Sequence, residues 1–196
     1  MARKIEFDRD KVLNQSMVLF WQKGYENTSM QDLVSTLGIN RFSIYNTFGG
    51  KKALFLLAIE HYRCSLFARL NAPLKENNIS GKQRLDRYIS TFGKHLTSKQ
   101  GALGCLIQAS AMSEISHDKE VSAIVFDSFV GLHLALSQAL ELAQEEGELS
   151  QSCDVAIAAT NIMCTMQGLI VLRKSQQDIK PIKAQIEFLK KTVATW

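Results

Sequence analysis

Residues 28 to 52 read TSMQDLVSTLGINRFSIYNTFGGKK and lay out two short helices around a turn that contains glycine. Ser29 is placed to cap the first helix, and Asp32 can return a hydrogen bond to the backbone of Ser29, which is a capping box with Asp in place of Glu. Gly38 allows the chain to turn sharply after this helix. Four apolar residues recur at helical spacing and predict one buried stripe: Met30, Leu33, Val34 and Leu37.

The second short helix carries the side chains that a DNA-reading helix needs. Asn40 is a candidate N-cap for a helix over residues 41–47, which would bury Phe42 or Ile44 together with Phe48. Arginine and asparagine match the edges of bases, and hydroxyl groups match phosphates or bases. Polar residues on a short exposed helix are more often only solvated, so this interpretation depends on the whole pattern. The predicted DNA-binding residues are Thr28, Ser29, Asn40, Arg41, Phe42, Ser43, Tyr45, Asn46, Thr47, Lys51 and Lys52.

Basic residues surround this helix-turn-helix. Lysines at the start of the next helix suit a phosphate, because the N-terminus of a helix is positive. Arg41 and Asn46 are the best candidates for reading bases. The residues expected to add a salt-dependent, sequence-independent contribution are Arg3, Lys4, Lys51 and Lys52.

The run FWQKGYENTSMQDLVSTLGINRFSIYNTFGGKKALFLLAIEHY, residues 20–62, resembles the N-terminal domain of TetR-type transcriptional repressors. The resemblance implies that Tyr45 and Lys51 hold phosphates. It also places five residues at or near the DNA groove: Thr28, Arg41, Ser43, Asn46 and Thr47. Gly49 and Gly50 depart from the family pattern, which usually has bulkier or polar residues there. The matching residues are Gly24, Tyr25, Thr28, Ser29, Leu37, Gly38, Ile39, Ile44, Tyr45, Phe48, Lys51, Leu54 and Phe55.

Composition and charge agree with this interpretation. The chain has 196 residues, 46% of them hydrophobic, and a formal charge of +4. Residues 1–63 hold nine Lys or Arg against six Asp or Glu, a net +3, so the excess lies at the predicted DNA-binding end. The start MARKIEF is too polar for a signal peptide, and no apolar run seems to approach the roughly 20 residues that span a bilayer. We therefore expect a cytoplasmic protein.

The whole chain reads as all-α, with about nine helices in two domains. We predict a three-helix DNA-binding head over residues 1–50, with its first helix at 9–23, a connecting helix over 51–70, and an effector-binding and dimerisation domain over 71–196 that begins with a linker. Residues 153–172 are apolar on nearly all sides, as expected of a helix buried in its own subunit and against another. We therefore predict a homodimer through the last two helices. The helices predicted in the second domain cover residues 81–97, 103–115, 119–146, 153–175 and 181–194.

The last helix has one apolar face, which could complete a four-helix seam between two subunits, as TetR-type proteins do, or pack inside its own subunit. That face carries Ile182, Ile186, Leu189 and Val193.

A regulator of this type would bind a small hydrophobic or electrophilic effector in its second domain. Most of the candidate residues are equally well explained as core. Cys105 lies in QGALGCLIQASAMSE, which resembles the start of the sixth helix in TetR-type regulators close to those that sense electrophiles through a cysteine. A thiol at a helix N-terminus is activated by the dipole, but it can also be a small buried residue. The predicted effector residues are Tyr88, Phe92, His95, Cys105, Met112, Phe126, Phe129, His133, Met163 and Met166.

Other classes of protein fit less well. The chain has no glycine-rich phosphate loop, nucleophile elbow or HExxH motif, so we predict neither an enzyme nor a cofactor. Its four cysteines lack zinc-ligand spacing and should be reduced thiols. The resemblance implies a repressor that an effector or a cysteine modification releases from near-palindromic operator DNA. An activator, or a helical DNA-binding or interaction module without an effector, remains the alternative.

Overall fold

The computed structural model describes residues 7–175 and 178–196, and every regular element among them is helical. Arg3 and Lys4, predicted to contact DNA, lie outside the described residues. The all-α prediction is confirmed. The main helices are α1 (Arg9–Lys23), α2 (Met30–Leu37), α3 (Arg41–Phe48), α4 (Lys51–Tyr62), α5 (Ala68–Asn71), α6 (Gly81–Leu96), α7 (Leu106–Ala111), α8 (Lys119–Glu145), α9 (Val155–Ser175) and α10 (Lys180–Ala194).

Helix boundaries differ from the predicted ones in two places. The predicted connecting helix over 51–70 is interrupted by a π-helical turn, Arg63–Phe67, between α4 and α5. The predicted helix over 103–115 is only six residues of α-helix, with 3₁₀ turns at Gln100–Leu103 and Glu114–His117 on either side of it. Glycine at 101 and 104 and serine at 113 and 116 favour such turns over a continuous helix.

The described chain divides into two compact units. The first comprises Met1–Leu66 together with Leu106–Phe126, and the second comprises Phe67–Cys105 together with Asp127–Trp196. Each unit is therefore assembled from two separate stretches of sequence. The functional division predicted at residues 50 and 71 stays a prediction.

Aromatic side chains fill the core of the first unit. Phe20 is completely buried, and its ring meets the edge of Phe55 at a centroid distance of 5.1 Å. Trp21 makes a similar contact with Tyr62, also at 5.1 Å. These pairs join α1 to α4, so α1 supports the two short helices as the sequence predicted.

The second stretch of the first unit is held by polar contacts. The Glu26 carboxylate accepts a hydrogen bond from the Ile115 N–H at 2.8 Å. Lys52 Nζ lies 2.6 Å from a carboxylate oxygen of Asp118 and 3.0 Å from one of Glu120. These contacts join the end of α1 and the start of α4 to the segment that precedes and opens α8.

The second unit is packed closely enough to require glycine. A Cβ atom on Gly81 would lie 2.3 Å from both the Ala139 carbonyl oxygen and the Ala143 nitrogen, which belong to the backbone of α8. The Gly81 N–H donates to the Glu146 carboxylate at 2.8 Å. α6 and α8 therefore approach each other backbone to backbone.

The apolar face of α10 points into its own unit. The four residues predicted as a possible seam between subunits are each at most 6% exposed within the single chain, so they pack internally. The exposed apolar residue of α10 is instead Phe188, at 62%. Periodicity identified the apolar face correctly, but it could not tell which surface covers that face.

Two helices, α8 and α9, are long and apolar enough to cross a membrane, with mean hydropathies of 1.5 and 1.8. The expectation that no apolar run reaches this length is therefore wrong. Length and composition alone are weak grounds for a membrane span, since core helices of soluble proteins share them. Both helices also keep apolar side chains exposed in the single chain: Phe126, Val130, Leu134, Ile157, Val171 and Leu172.

Candidate nucleic-acid interface

Local hydrogen bonds hold α2 at its start. Ser29 Oγ accepts from the Asp32 N–H at 3.0 Å, and the Asp32 carboxylate accepts from the Ser29 N–H at 2.9 Å, which confirms the predicted capping box. Lys23 donates to the same carboxylate at 2.6 Å, and these bonds hold the pKa of Asp32 well below its usual range. At the other end, Gly38 adopts the left-handed conformation with φ of 66°. The turn into α3 is therefore well defined.

The orientation of α3 follows from its cap and its buried residues. Asn40 Oδ1 accepts from the Ser43 N–H at 2.8 Å, which confirms Asn40 as the N-cap. Ile44 is completely buried and Phe48 is 5% exposed, whereas Phe42 is 73% exposed. Of the two alternatives, Ile44 is therefore the core residue.

The outer surface of α3 brings together four of the predicted DNA-binding residues. Arg41, Phe42, Tyr45 and Asn46 are all exposed, and the Arg41 guanidinium lies 5.7 Å from the centroid of the Tyr45 ring. Such a surface offers a cation, an amide, a phenol and an apolar ring to a ligand. Ser43 and Thr47 lie at its margins and are half-buried.

The two glycines that follow α3 accommodate the Tyr45 ring. Gly49 and Gly50 have φ angles of 84° and 102°, which side chains rarely adopt. A Cβ atom on Gly50 would lie 3.0 Å from the Tyr45 ring. The departure from the family pattern therefore has a local structural role.

The two lysines at the start of α4 differ in environment. Lys51 Nζ lies 4.3 Å from the centroid of the Tyr25 ring, and burial lowers the pKa of Lys51. Hydrogen bonds to Asp118 and Glu120 instead raise the pKa of Lys52. A phosphate would have to compete with two carboxylates for Lys52, so Lys51 is the better candidate of the two.

Thr28 and Ser29 stabilise the free chain. Thr28 is completely buried, and its hydroxyl donates to the Gly24 carbonyl at 2.6 Å. It therefore has no exposed surface with which to contact DNA in this conformation. The Ser29 hydroxyl is exposed but engaged with Asp32. Hydrogen bonds of this kind cannot be distinguished from DNA contacts by residue type alone.

The predicted effector residues do not share one environment. Met112 and Phe126 are 76% and 66% exposed and belong to the first unit, so neither is enclosed as a pocket residue would be. The other eight belong to the second unit. Tyr88, Phe92, Cys105 and Met166 are buried there, whereas His95, Phe129, His133 and Met163 are partly exposed.

Polar contacts distinguish some of these residues. His133 Nε2 lies 3.1 Å from the Thr160 hydroxyl oxygen. Burial lowers the pKa of His95, and Arg69 acts in the same direction. Burial raises the pKa of Tyr88, and the neighbouring Cys105 adds to that effect.

The four cysteines are free thiols in different surroundings. Cys105 is 8% exposed and immediately precedes α7. A hydrogen bond with Glu60 raises the pKa of the Cys64 thiol, and burial raises that of Cys153. These two thiols are therefore less readily deprotonated than an ordinary cysteine.

Comparison with known proteins gives the same answer for both parts of the chain. Residues 12–58 match the model for bacterial regulatory proteins of the tetR family, and residues 81–189 match the tetracyclin repressor-like C-terminal domain. The chain is 31% identical over 192 residues to the uncharacterized HTH-type transcriptional regulator YezE of Bacillus subtilis, covering 95% of this chain and 96% of that protein. It is 30% identical over 165 residues to the HTH-type transcriptional repressor ComR of Escherichia coli, covering 84% and 79%.

The fold is also that of solved regulators. The TetR family transcriptional regulator CifR, in a cysteine mutant complexed with 26-base-pair double-strand operator DNA, superposes with a TM-score of 0.86 at 23% identity, covering 97% of this chain and 98% of that one. A capped α2, a sharp turn and an α3 with a polar outer surface are thus found in a chain whose two parts both match the same family. The protein belongs to the TetR family of DNA-binding transcriptional regulators.

Proposed function

We propose that the protein is a cytoplasmic homodimeric repressor that binds a near-palindromic operator and is released by a small effector or by modification of Cys105. The outer surface of α3 is the observation that carries this proposal, because its exposed side chains suit bases and phosphates while Ile44 and Phe48 fix its orientation. The similar protein ComR is a repressor, which supports the same sign of regulation here.

Exposed apolar side chains support a dimer through α9 and α10. A single reading helix contacts only a few base pairs, so two copies must bind half-sites about one helical turn, or a multiple of it, apart. Large apolar side chains that remain exposed in the single chain mark a surface for a partner. On these two helices they are Ile157, Val171, Leu172 and Phe188.

Release requires a route from the effector to the reading helix. The segment Leu106–Phe126 contacts Glu26 and Lys52, which lie at the ends of elements that frame α2 and α3. A ligand that displaces this segment would change the position of both reading helices in the dimer. The effector acts only through its different affinity for the two arrangements, and such couplings are about 1 to 3 kcal/mol.

Cys105 is well placed to act on this segment, because the next residue, Leu106, begins it. A thiol adds across the double bond of N-ethylmaleimide, so that sulfur bonds one carbon and a proton ends on the other. The bulky adduct cannot occupy the buried position of the Cys105 side chain. The start of α7 would therefore have to move.

The thiol step predicts that N-ethylmaleimide weakens operator binding by wild-type protein about 5- to 150-fold, the range of ordinary couplings. The Cys105→Ser variant should bind the operator with unchanged affinity after the same treatment. Mobility-shift titrations measure both affinities. Cys64→Ser is the control and should respond as the wild type does. If Cys105→Ser still released the operator, the sensing role of Cys105 would be abandoned.

The DNA-reading role predicts two different mutational patterns. DNA selected from a random pool by the protein should be near-palindromic. Arg41→Ala should relax the preference at one position of each half-site by about 1 to 3 kcal/mol. Lys51→Ala should weaken all sequences alike and reduce the dependence of log affinity on log salt by about one per contact. The reverse pattern would exchange the roles of these two residues, and failure to select any DNA would overturn the proposal.

A further inference from the structure

Phe42 is a large apolar side chain on the outer surface of α3, 73% exposed. Single exposed apolar residues are common on protein surfaces and need no special explanation. The position of Phe42 relative to the buried residues of the same helix is what gives it a role.

Helical geometry places Phe42 at the centre of the reading surface. Successive residues turn by about 100°, so Phe42 and Asn46 each lie roughly 160° from the buried Ile44, on either side of the point opposite the core. Arg41 lies only about 60° from Ile44, and its guanidinium stacks on Tyr45. Phe42 and Asn46 are therefore the two side chains that project furthest from the head.

The chemistry of these two side chains is complementary in a major groove. Asparagine pairs with the N6 and N7 atoms of adenine, whereas a phenyl ring can only make apolar contact with the thymine C5-methyl group. The ring offers no partner to the exocyclic amine of cytosine, which would lose hydrogen bonds to water on contact. Phe42 therefore favours thymine over the other pyrimidine.

We propose that Phe42 determines operator specificity by reading the methyl group of one thymine in each half-site. Phe42 and Asn46 are four residues apart, about 6 Å along the helix, and base pairs are about 3.4 Å apart. The thymine lies within about two base pairs of the adenine that Asn46 contacts. This inference rests on the proposed function, since it requires a DNA operator.

Deoxyuridine in place of thymidine tests the proposal, because it removes only the methyl group and keeps base pairing. Operator duplexes selected from the random pool would carry this change at one symmetric pair of thymines at a time. Binding by wild-type protein should weaken about fourfold for each methyl lost at one pair of positions, the value of one buried methyl group, and so about fifteenfold for the pair. All other thymine positions should be insensitive.

The Phe42→Ala variant should bind the thymine and uracil duplexes equally well, and Phe42→Leu should keep part of the difference. Thermal unfolding of Phe42→Ala should match the wild type, because the side chain is exposed. If Phe42→Ala kept the full difference, or if wild-type protein bound its operator without any methyl-sensitive position, the inference would fail while the proposed function stood. Loss of DNA bending in Phe42→Ala without methyl sensitivity would mark the ring as an inserted wedge and would also overturn it.

Discussion

We expect Gly81→Ala to lower the free energy of unfolding by about 3 kcal/mol, at the upper end of ordinary overpacking. The new Cβ atom would lie 2.3 Å from two backbone atoms of α8, at Ala139 and Ala143. Backbone inside a helix cannot rotate away as a flexible side chain does, so α6 would have to shift. That shift would also strain the hydrogen bond from the Gly81 N–H to Glu146. Urea denaturation followed by circular dichroism measures the loss.

Gly131→Ala is the matched control. Gly131 lies inside α8, and no heavy atom comes within 4 Å of a Cβ built on it. Alanine there should leave stability unchanged or raise it by about 0.5 to 1 kcal/mol, because alanine is the better helix former. Both variants must be compared at one protein concentration, since dimerisation contributes to apparent stability. Equal stability of the two variants would contradict the close approach of α6 and α8.

Phe188→Glu should convert the dimer into a folded monomer and weaken operator binding about 100-fold or more, which corresponds to about 2.7 kcal/mol. Phe188 is 62% exposed on α10, opposite in character to the buried face of the same helix. In a two-fold interface the substitution places two unpaired carboxylates in an apolar contact. Light scattering after size exclusion gives the mass, and a mobility-shift titration gives the affinity.

Lys183→Glu introduces the same residue on the same helix at an exposed position. It lies five residues earlier, roughly 140° around the helix from Phe188, and should keep the wild-type mass. Circular dichroism should show full helicity for both variants, because neither side chain is buried in the single chain. A dimeric Phe188→Glu protein would move the predicted interface away from this part of α10.

Local interactions explain what could be predicted from the sequence. The bounds of α1, the capping box of Ser29 and Asp32, and the cap at Asn40 all depend on residues within a few positions of one another. The choice between Phe42 and Ile44 could not be made, because both fit a short helix and only packing against the rest of the head distinguishes them.

Long-range contacts explain what could not be predicted. Lys52 reads as a phosphate ligand beside Lys51, but the carboxylates that bind it belong to Asp118 and Glu120, far along the chain. The same holds for Glu26, whose partner is the backbone of Ile115. No periodicity or spacing relates these positions.

The composition of the first unit from two stretches of sequence limits how freely its DNA specificity can be transplanted. A chimaera that joins only residues 1–66 to a foreign effector domain leaves Glu26 and Lys52 without the Ile115 backbone and the Asp118 carboxylate that they contact here. Regulators engineered by exchanging heads therefore need to carry Leu106–Phe126 along with the head, or to choose a recipient with an acidic residue in the place of Asp118. In this protein the portable module is defined by contacts and is discontinuous in sequence.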